Sequence, residues 1–208
     1  MAVFQSLEAK GSQPRGLEQR ILESKAEENA GNPMKRNRKQ QGFSLIELLI
    51  VVAIILIIAA MAIPNFLRAR MSAHEASAVY SIHEINRAEI QYQTTYPLNG
   101  FAANLASLGG ISPCVPSATS ACLIDNSLAT ASPGSGSKAG YVFLATGQNP
   151  INGMNTKYTV GASPVTYNVS GVRNFCSTED NVIRFNAGAS GSTPVTNEAA
   201  CMNFTVLQ

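Results

Sequence analysis

From Gly42 to Leu67 the chain reads Gly-Phe-Ser-Leu-Ile-Glu-Leu-Leu-Ile-Val-Val-Ala and onward through Pro64, and Glu47 is its one formal side-chain charge. The 25 residues Phe43–Leu67, rising about 1.5 Å each in a helix, are long enough to cross a bilayer core of about 30 Å with some tilt. A charged side chain placed in that core costs about 2.5–3.5 kcal/mol even on insertion scales. Glu47 therefore needs a compensating partner.

The helical pattern does not stop at Arg68. Apolar residues recur at Ala76, Val79, Ile82, Ile85, Ala88 and Tyr92, while Ser77, Ser81, Glu84, Arg87 and Gln91 take another face. No glycine occurs between Phe43 and Tyr96, and the single proline is Pro64. This predicts one helix over residues 43–96, ending before Pro97, with an apolar half (43–67) and an amphipathic half (68–96). Pro64 lacks a donor and crowds the carbonyl of Ala60, so a kink or local melting is expected there.

The segment Gly-Phe-Ser-Leu-Ile-Glu, with basic residues ahead of it and an apolar run behind, resembles the prepilin cleavage and methylation motif of the type IV pilin and pseudopilin family. The resemblance covers residues 42–64. It implies that a membrane-embedded prepilin peptidase cuts between Gly42 and Phe43 and methylates the new amino terminus, making Glu47 the fifth residue of the mature chain. It also implies an assembly role for Phe43 and Glu47: the charged amine of an incoming subunit meets the Glu47 carboxylate of a neighbour. Glu47 read without the motif is an interfacial acid that snorkels or protonates. Pro64 falls where the family's helix loosens on packing into a filament, and the plain alternative is a membrane-helix kink. Gln41 stands where the family usually has Lys or Arg, with Lys35, Arg36, Arg38 and Lys39 close by.

Charge is divided unevenly along the chain. Residues 1–42 hold eight Lys/Arg against five Asp/Glu, leaving seven against eight in residues 43–208. The basic excess belongs to the leader, so composition gives no case for nucleic-acid binding. The cluster at 35–39 suits the cytoplasmic flank of a membrane segment and orients the carboxyl-terminal part outward. Residues 1–33 are polar, of mixed sign and without apolar periodicity, which predicts disorder. Met34 opens a nine-residue leader of the length ordinary for the family, and translation is expected to start there.

All four cysteines, Cys114, Cys122, Cys176 and Cys201, follow the membrane segment, where an oxidising compartment favours disulfides. Of three pairings, Cys114–Cys122 with Cys176–Cys201 closes the shorter loops. From Pro97 the composition turns to Gly, Ser, Ala, Thr and Asn, with strand-like runs at 141–146, 157–160, 165–169, 173–177 and 182–186. The last two flank Thr178-Glu179-Asp180-Asn181 and read as a hairpin, while 115–140 and 187–200 read as surface loops. The expected fold is α+β: a long amino-terminal helix whose second half packs through Val79, Ile82 and Ile85 on a small antiparallel sheet, with residues 97–208 as an exported head.

Catalytic chemistry is sparse. His74 and His83 are nine residues apart and poorly placed for joint metal ligation, and no phosphate loop, H-E-x-x-H or G-x-S-x-G is present. Asn168-Val-Ser170 and Asn203-Phe-Thr205 fit a glycosylation sequon at a near-chance rate, and Tyr80, Tyr92, Tyr96 and Phe101 are better read as packing than as a charge-transfer path. Eight charged residues follow Tyr96: Asp125, Lys138, Lys157, Arg173, Glu179, Asp180, Arg184 and Glu198. They are dispersed in sequence, which disfavours an exported enzyme or binding domain. The expected function is a structural filament subunit without cofactor or metal. Its expected partners are further copies of itself, the prepilin peptidase, an assembly platform and the inner membrane; the related alternative is a pseudopilin of a type II secretion piston.

Overall fold

The computed structural model describes residues 42–208. The expectations for disorder over 1–33, for a start at Met34 and for the basic cluster at 35–39 lie outside the described residues. The described residues divide into two units between Leu48 and Leu49. In the first, residues 42–48 lead into a helix whose opening bond runs from the Leu48 N–H to the Ser44 carbonyl at 3.2 Å.

Helix α1 spans Leu45–Thr95. Alanine, leucine and isoleucine dominate it, no glycine breaks it, and it ends two residues before Pro97, which disfavours helix in the residue ahead of it. Its first half buries nothing: Leu45 through Leu67 stay exposed apart from a half-buried Ala59. It is long and apolar enough to cross a membrane. Beyond Arg70 a narrow stripe turns inward at Glu75, Ala78, Ile82, Ile85, Glu89 and Tyr92, steps of three and four residues that keep one helix face in register. Pro64 lies inside this helix, which is continuous on both sides of it. The Asn65 side-chain amide also donates to the Met61 carbonyl at 3.3 Å.

The head is a five-stranded antiparallel meander in the order β1 (Tyr141–Ile151), β2 (Met154–Pro164), β3 (Arg173–Thr178), β4 (Arg184–Ala187) and β5 (Thr205–Val206). Between β1 and β2 lies Asn152-Gly153, both at positive φ (53° and 83°), the combination that a tight two-residue hairpin requires. The hairpin around 178–181 forms as expected, pairing Arg173–Cys176 with Arg184–Ala187. One face of the sheet supplies Tyr141, Phe143, Tyr158, Val160 and Phe175 to the core that also holds Ile82 and Ile85 of α1.

Three expectations need correction. Residues 165–169 are a turn rather than a strand: the Ser170 hydroxyl donates to the Thr166 carbonyl and accepts from its N–H, both at 3.0 Å, and Asn168 takes φ 61°. These local bonds replace a ladder. The stretch 115–140 is also more than a surface loop. Ala121, Ile124, Leu128, Ala129 and Ala131 are buried, and short helix α3 (Asn126–Ala129) follows another, α2 (Leu105–Leu108). Asp125 caps α3 by accepting from the Leu128 N–H, and Asn197 likewise caps α4 (Glu198–Met202) within the second supposed loop. Finally, Ser81 is buried and Glu84 half-buried, so the polar face of α1 is narrower than its sequence suggested.

Disulfides join Cys114 to Cys122 and Cys176 to Cys201, the two local pairings. Ile82 and Ile85, both 0% exposed, carry the helix–sheet contact. Ile85→Ala is expected to lower the stability of the head by about 2–5 kcal/mol, from lost burial and the cavity left behind. Denaturant unfolding of the detergent-solubilised chain measures it, and the same change at exposed Ile90 should have little effect.

Candidate functional site

The residues assigned to processing and assembly lie at the start of the described chain. Gly42 and Phe43 are exposed and precede the helix, and Glu47 sits exposed in its first turn. A β-carbon built at Gly42 meets nothing within 4 Å among the described residues, so packing gives no reason for a glycine there. Around Glu47 the side chains are large and apolar: Leu45, Ile46, Leu48, Leu49 and Ile50 are each more than half exposed. No ion pair to Glu47 occurs among the described residues. What the single subunit presents is an apolar cylinder with one acid near its start.

Two further acids on the same helix are treated differently. Glu75 is 4% exposed and fully engaged. Its Oε1 accepts from the backbone N–H groups of Val172 (2.9 Å) and Arg173 (3.2 Å), while its Oε2 accepts from the Arg173 guanidinium at 2.8 and 2.7 Å. This fastens α1 to the start of β3, and the same guanidinium lies over the rings of Phe175 and Phe185.

Glu89 has no cation. Its Oε2 accepts from the Ala102 N–H at 2.8 Å, and its Oε1 is buried without a partner. Burial pushes its carboxyl up to about 8, opposed by the Ala102 hydrogen bond. At neutral pH this group is chiefly a neutral acid. Nearby Asn86 donates to the Ser177 hydroxyl at 2.9 Å and accepts from Tyr158 at 3.4 Å, so a second polar contact joins helix to sheet.

In the head, the eight charges that sequence left dispersed are all paired. Lys138 bridges Asp125 (2.7 Å) and Glu84 (3.5 Å), and Lys157 bridges Glu198 (2.7 Å) and Glu179 (3.2 Å). Arg184 meets Asp180 at 2.5 Å, and Arg173 meets Glu75. The Lys138 ammonium and the Ser127 hydroxyl beside Asp125 hold its carboxyl well below the usual carboxylate range. These charges stabilise loops and strand ends. His74 bonds the Ser170 carbonyl at 3.1 Å and His83 is exposed; no cluster of three metal-ligating side chains occurs among the described residues.

Sequence reasoning missed Glu75, Asn86 and Glu89. A usable signal was present for the two acids: 75, 78, 82, 85, 89 and 92 form one continuous three–four series, so each glutamate occupies a core-facing position of the stripe.

The prokaryotic N-terminal methylation motif matches residues 37–63. The chain is 41% identical over 71 residues to the type IV wide pilus major component PilA4 of Thermus thermophilus, a match covering 34% of this chain and 53% of that relative. It thus spans about half the length of the curated relative it matches. No solved structure matches. The chain thus carries the amino-terminal methylation motif and is similar over part of its length to a type IV pilus component.

Glu89 makes stability depend on pH. The folded chain holds its proton to about pH 8, whereas an unfolded glutamic acid releases it near 4.5. The folded state therefore binds more protons between these values, and stability falls as pH rises from about 4.5 to about 8. Glu89→Gln, which keeps an acceptor for Ala102 and cannot ionise, should flatten that decline and raise the melting temperature above pH 8. Thermal unfolding across this pH range measures it; an unchanged slope would contradict the assignment.

Proposed function

We propose that this chain, whose methylation motif and pilin relative support the type IV pilin family, is a precursor that is cut after Gly42, methylated at Phe43 and assembled into a pilus filament through Glu47. The observation that carries this reading is Glu47 itself, the sole formal side-chain charge in the exposed apolar stretch 43–67. In a filament, the amine of Phe43 from one copy reaches the Glu47 carboxylate of its neighbour. In low dielectric the attraction between them is strong and fixes the axial stagger. The absence of any packing demand for glycine at 42 among the described residues supports its selection by a peptidase.

In this reading residues 1–42 are the leader, 43–67 the membrane-spanning half of α1, 68–96 its amphipathic half and 97–208 the exported head. Before assembly the subunit is held in the inner membrane with the head outside, in keeping with two disulfides. Assembly exchanges lipid for neighbouring helices around the same apolar surface, and head-to-tail contacts that do not close propagate into a fibre. The relative's description as a pilus major component favours a pilus over a secretion pseudopilus. The head's paired charges favour a structural role over an exported enzyme.

Glu47→Ala should leave the subunit processed and stable in the membrane while reducing filament in the sheared surface fraction by an order of magnitude or more, since removing one partner leaves the buried amine uncompensated at a cost of about 3–5 kcal/mol. Immunoblots of membrane and sheared fractions read both quantities. Mass spectrometry of the wild-type fibre should find methylated Phe43 at the amino terminus. Wild-type yields of filament from Glu47→Ala would refute the pairing.

A further inference from the structure

Where α1 leaves its apolar half, one flank of the head carries positive charge and apolar side chains together. Arg70 and His74 line an open groove of about 430 Å³ whose opposite side is the 165–170 turn, with Val165 and Val169. These valines are 54% and 65% exposed, in a turn held by its own hydrogen bonds. His74 fastens the turn to α1 through the Ser170 carbonyl, and Gly140 (φ +76°) permits the close approach, since a β-carbon there would lie 2.8 Å from that of Ser170 and 2.9 Å from the imidazole.

The guanidinium of this flank is uncompensated. Arg70 makes no ion pair among the described residues, whereas every Lys and Arg after Tyr96 does. The nearest acid along the helix, Glu75, is consumed by Arg173 and two backbone donors.

Height along the helix selects the occupant. Arg70 lies about 4–5 Å and His74 about 10 Å beyond Leu67 along the axis, and the headgroup layer extends about 5–8 Å beyond the hydrocarbon on each side. Moreover, the apolar stretch is about 37 Å long against a core of about 30 Å. The mismatch is relieved by tilt, which lowers one side of the head towards the lipid.

We propose that this flank is a lipid-docking surface: in the membrane-stored subunit Arg70 binds a phospholipid headgroup phosphate, and Val165 and Val169 enter the interface beside it. Guanidinium suits phosphate through paired hydrogen bonds, and an anionic leaflet strengthens the attraction. The contact holds the head on the bilayer and is surrendered when the subunit is drawn into a filament. The inference rests on the membrane-spanning reading above.

The chain contains no tryptophan, so an introduced one reports alone. The mature chain carrying Val169→Trp is reconstituted in phosphatidylglycerol vesicles with brominated acyl chains. The reference is Ile151→Trp, an exposed site on the β1–β2 hairpin, where Asn155 bonds Asn99 beyond the far end of α1. Val169→Trp fluorescence should be quenched several-fold more than the reference, as for a side chain in the interface. Adding Arg70→Gln, or replacing the lipid by phosphatidylcholine, should weaken docking about fivefold, the weight of one basic residue at an anionic surface. Val165→Trp repeats the measurement should Val169→Trp not fold.

Quenching of Val169→Trp no greater than the reference, with Leu56→Trp strongly quenched, would overturn the docking surface while leaving the spanning helix intact. Loss of quenching at Leu56→Trp as well would remove the membrane reading itself. Quenching indifferent to Arg70→Gln would eliminate the phosphate contact, and emission that follows protein concentration instead of lipid would assign the flank to a second copy of the chain.

Discussion

A carboxyl group taken out of water must receive a cation, a set of hydrogen-bond donors or a proton; α1 meets this demand at Glu75 and Glu89, and its proposed membrane-spanning half leaves it open at Glu47. Glu75 receives the first two together, from Arg173 and the N–H groups of Val172 and Arg173. Glu89 receives one donor and keeps its proton. Glu47 receives nothing from its own described chain, and the proposed solution is a second molecule. The three answers follow the surroundings. Where the helix lies on the sheet, compensation is built into the subunit; where the helix is bare, it is left to assembly.

Much of this arrangement was legible in residues. The length of α1 followed from the absence of glycine over 43–96 and from Pro97, and the packing of Ile82 and Ile85 from their spacing. The 178–181 hairpin was marked by turn residues between β-rich runs. What escaped depended on specific side-chain hydrogen bonds, some local and some from distant elements, that composition does not display. Val165–Val169 has strand composition, yet a Ser170–Thr166 hydrogen-bonded turn claims its backbone. Leu128 and Ala131 sit in a serine- and glycine-rich stretch whose burial depends on the Asp125 cap and on bonds such as Leu123 N–H to Leu108 carbonyl. Glutamates at 75 and 89 went unread because their partners, Arg173 and the Ala102 N–H, are supplied by other elements.

The head is electrically quiet by construction. Its eight charged residues are joined to one another, to Glu84 or to Glu75, leaving Arg68, Arg70 and Arg87 as cations without an acid among the described residues. All three lie on α1. Exposed ion pairs add little stability singly, but pairing reduces the long-range field of the head. A weak field lets many copies approach closely. Any attraction that depends on net charge is thereby concentrated along the helix: positive at Arg68–Arg70, and at the amino-terminal end negative at Glu47, where the proposed cleavage adds the amine of Phe43.

That concentration matters because apolar surface alone cannot select an arrangement. Leucine and isoleucine find lipid tails about as favourable as neighbouring helices, so moving residues 43–67 from one to the other changes the hydrophobic free energy little. Direction must come from features that lipid cannot supply. Ala53, Ala59, Ala60 and Ala62 let helices approach closely and gain dispersion contacts. In the proposed assembly, Glu47 adds a term that lipid tails cannot match and that neighbouring copies satisfy at one axial offset. On that proposal, an acid that is unfavourable in the stored subunit and compensated in the filament makes the two states differ where their apolar contacts do not, giving a reversible exchange of surroundings both a direction and a register.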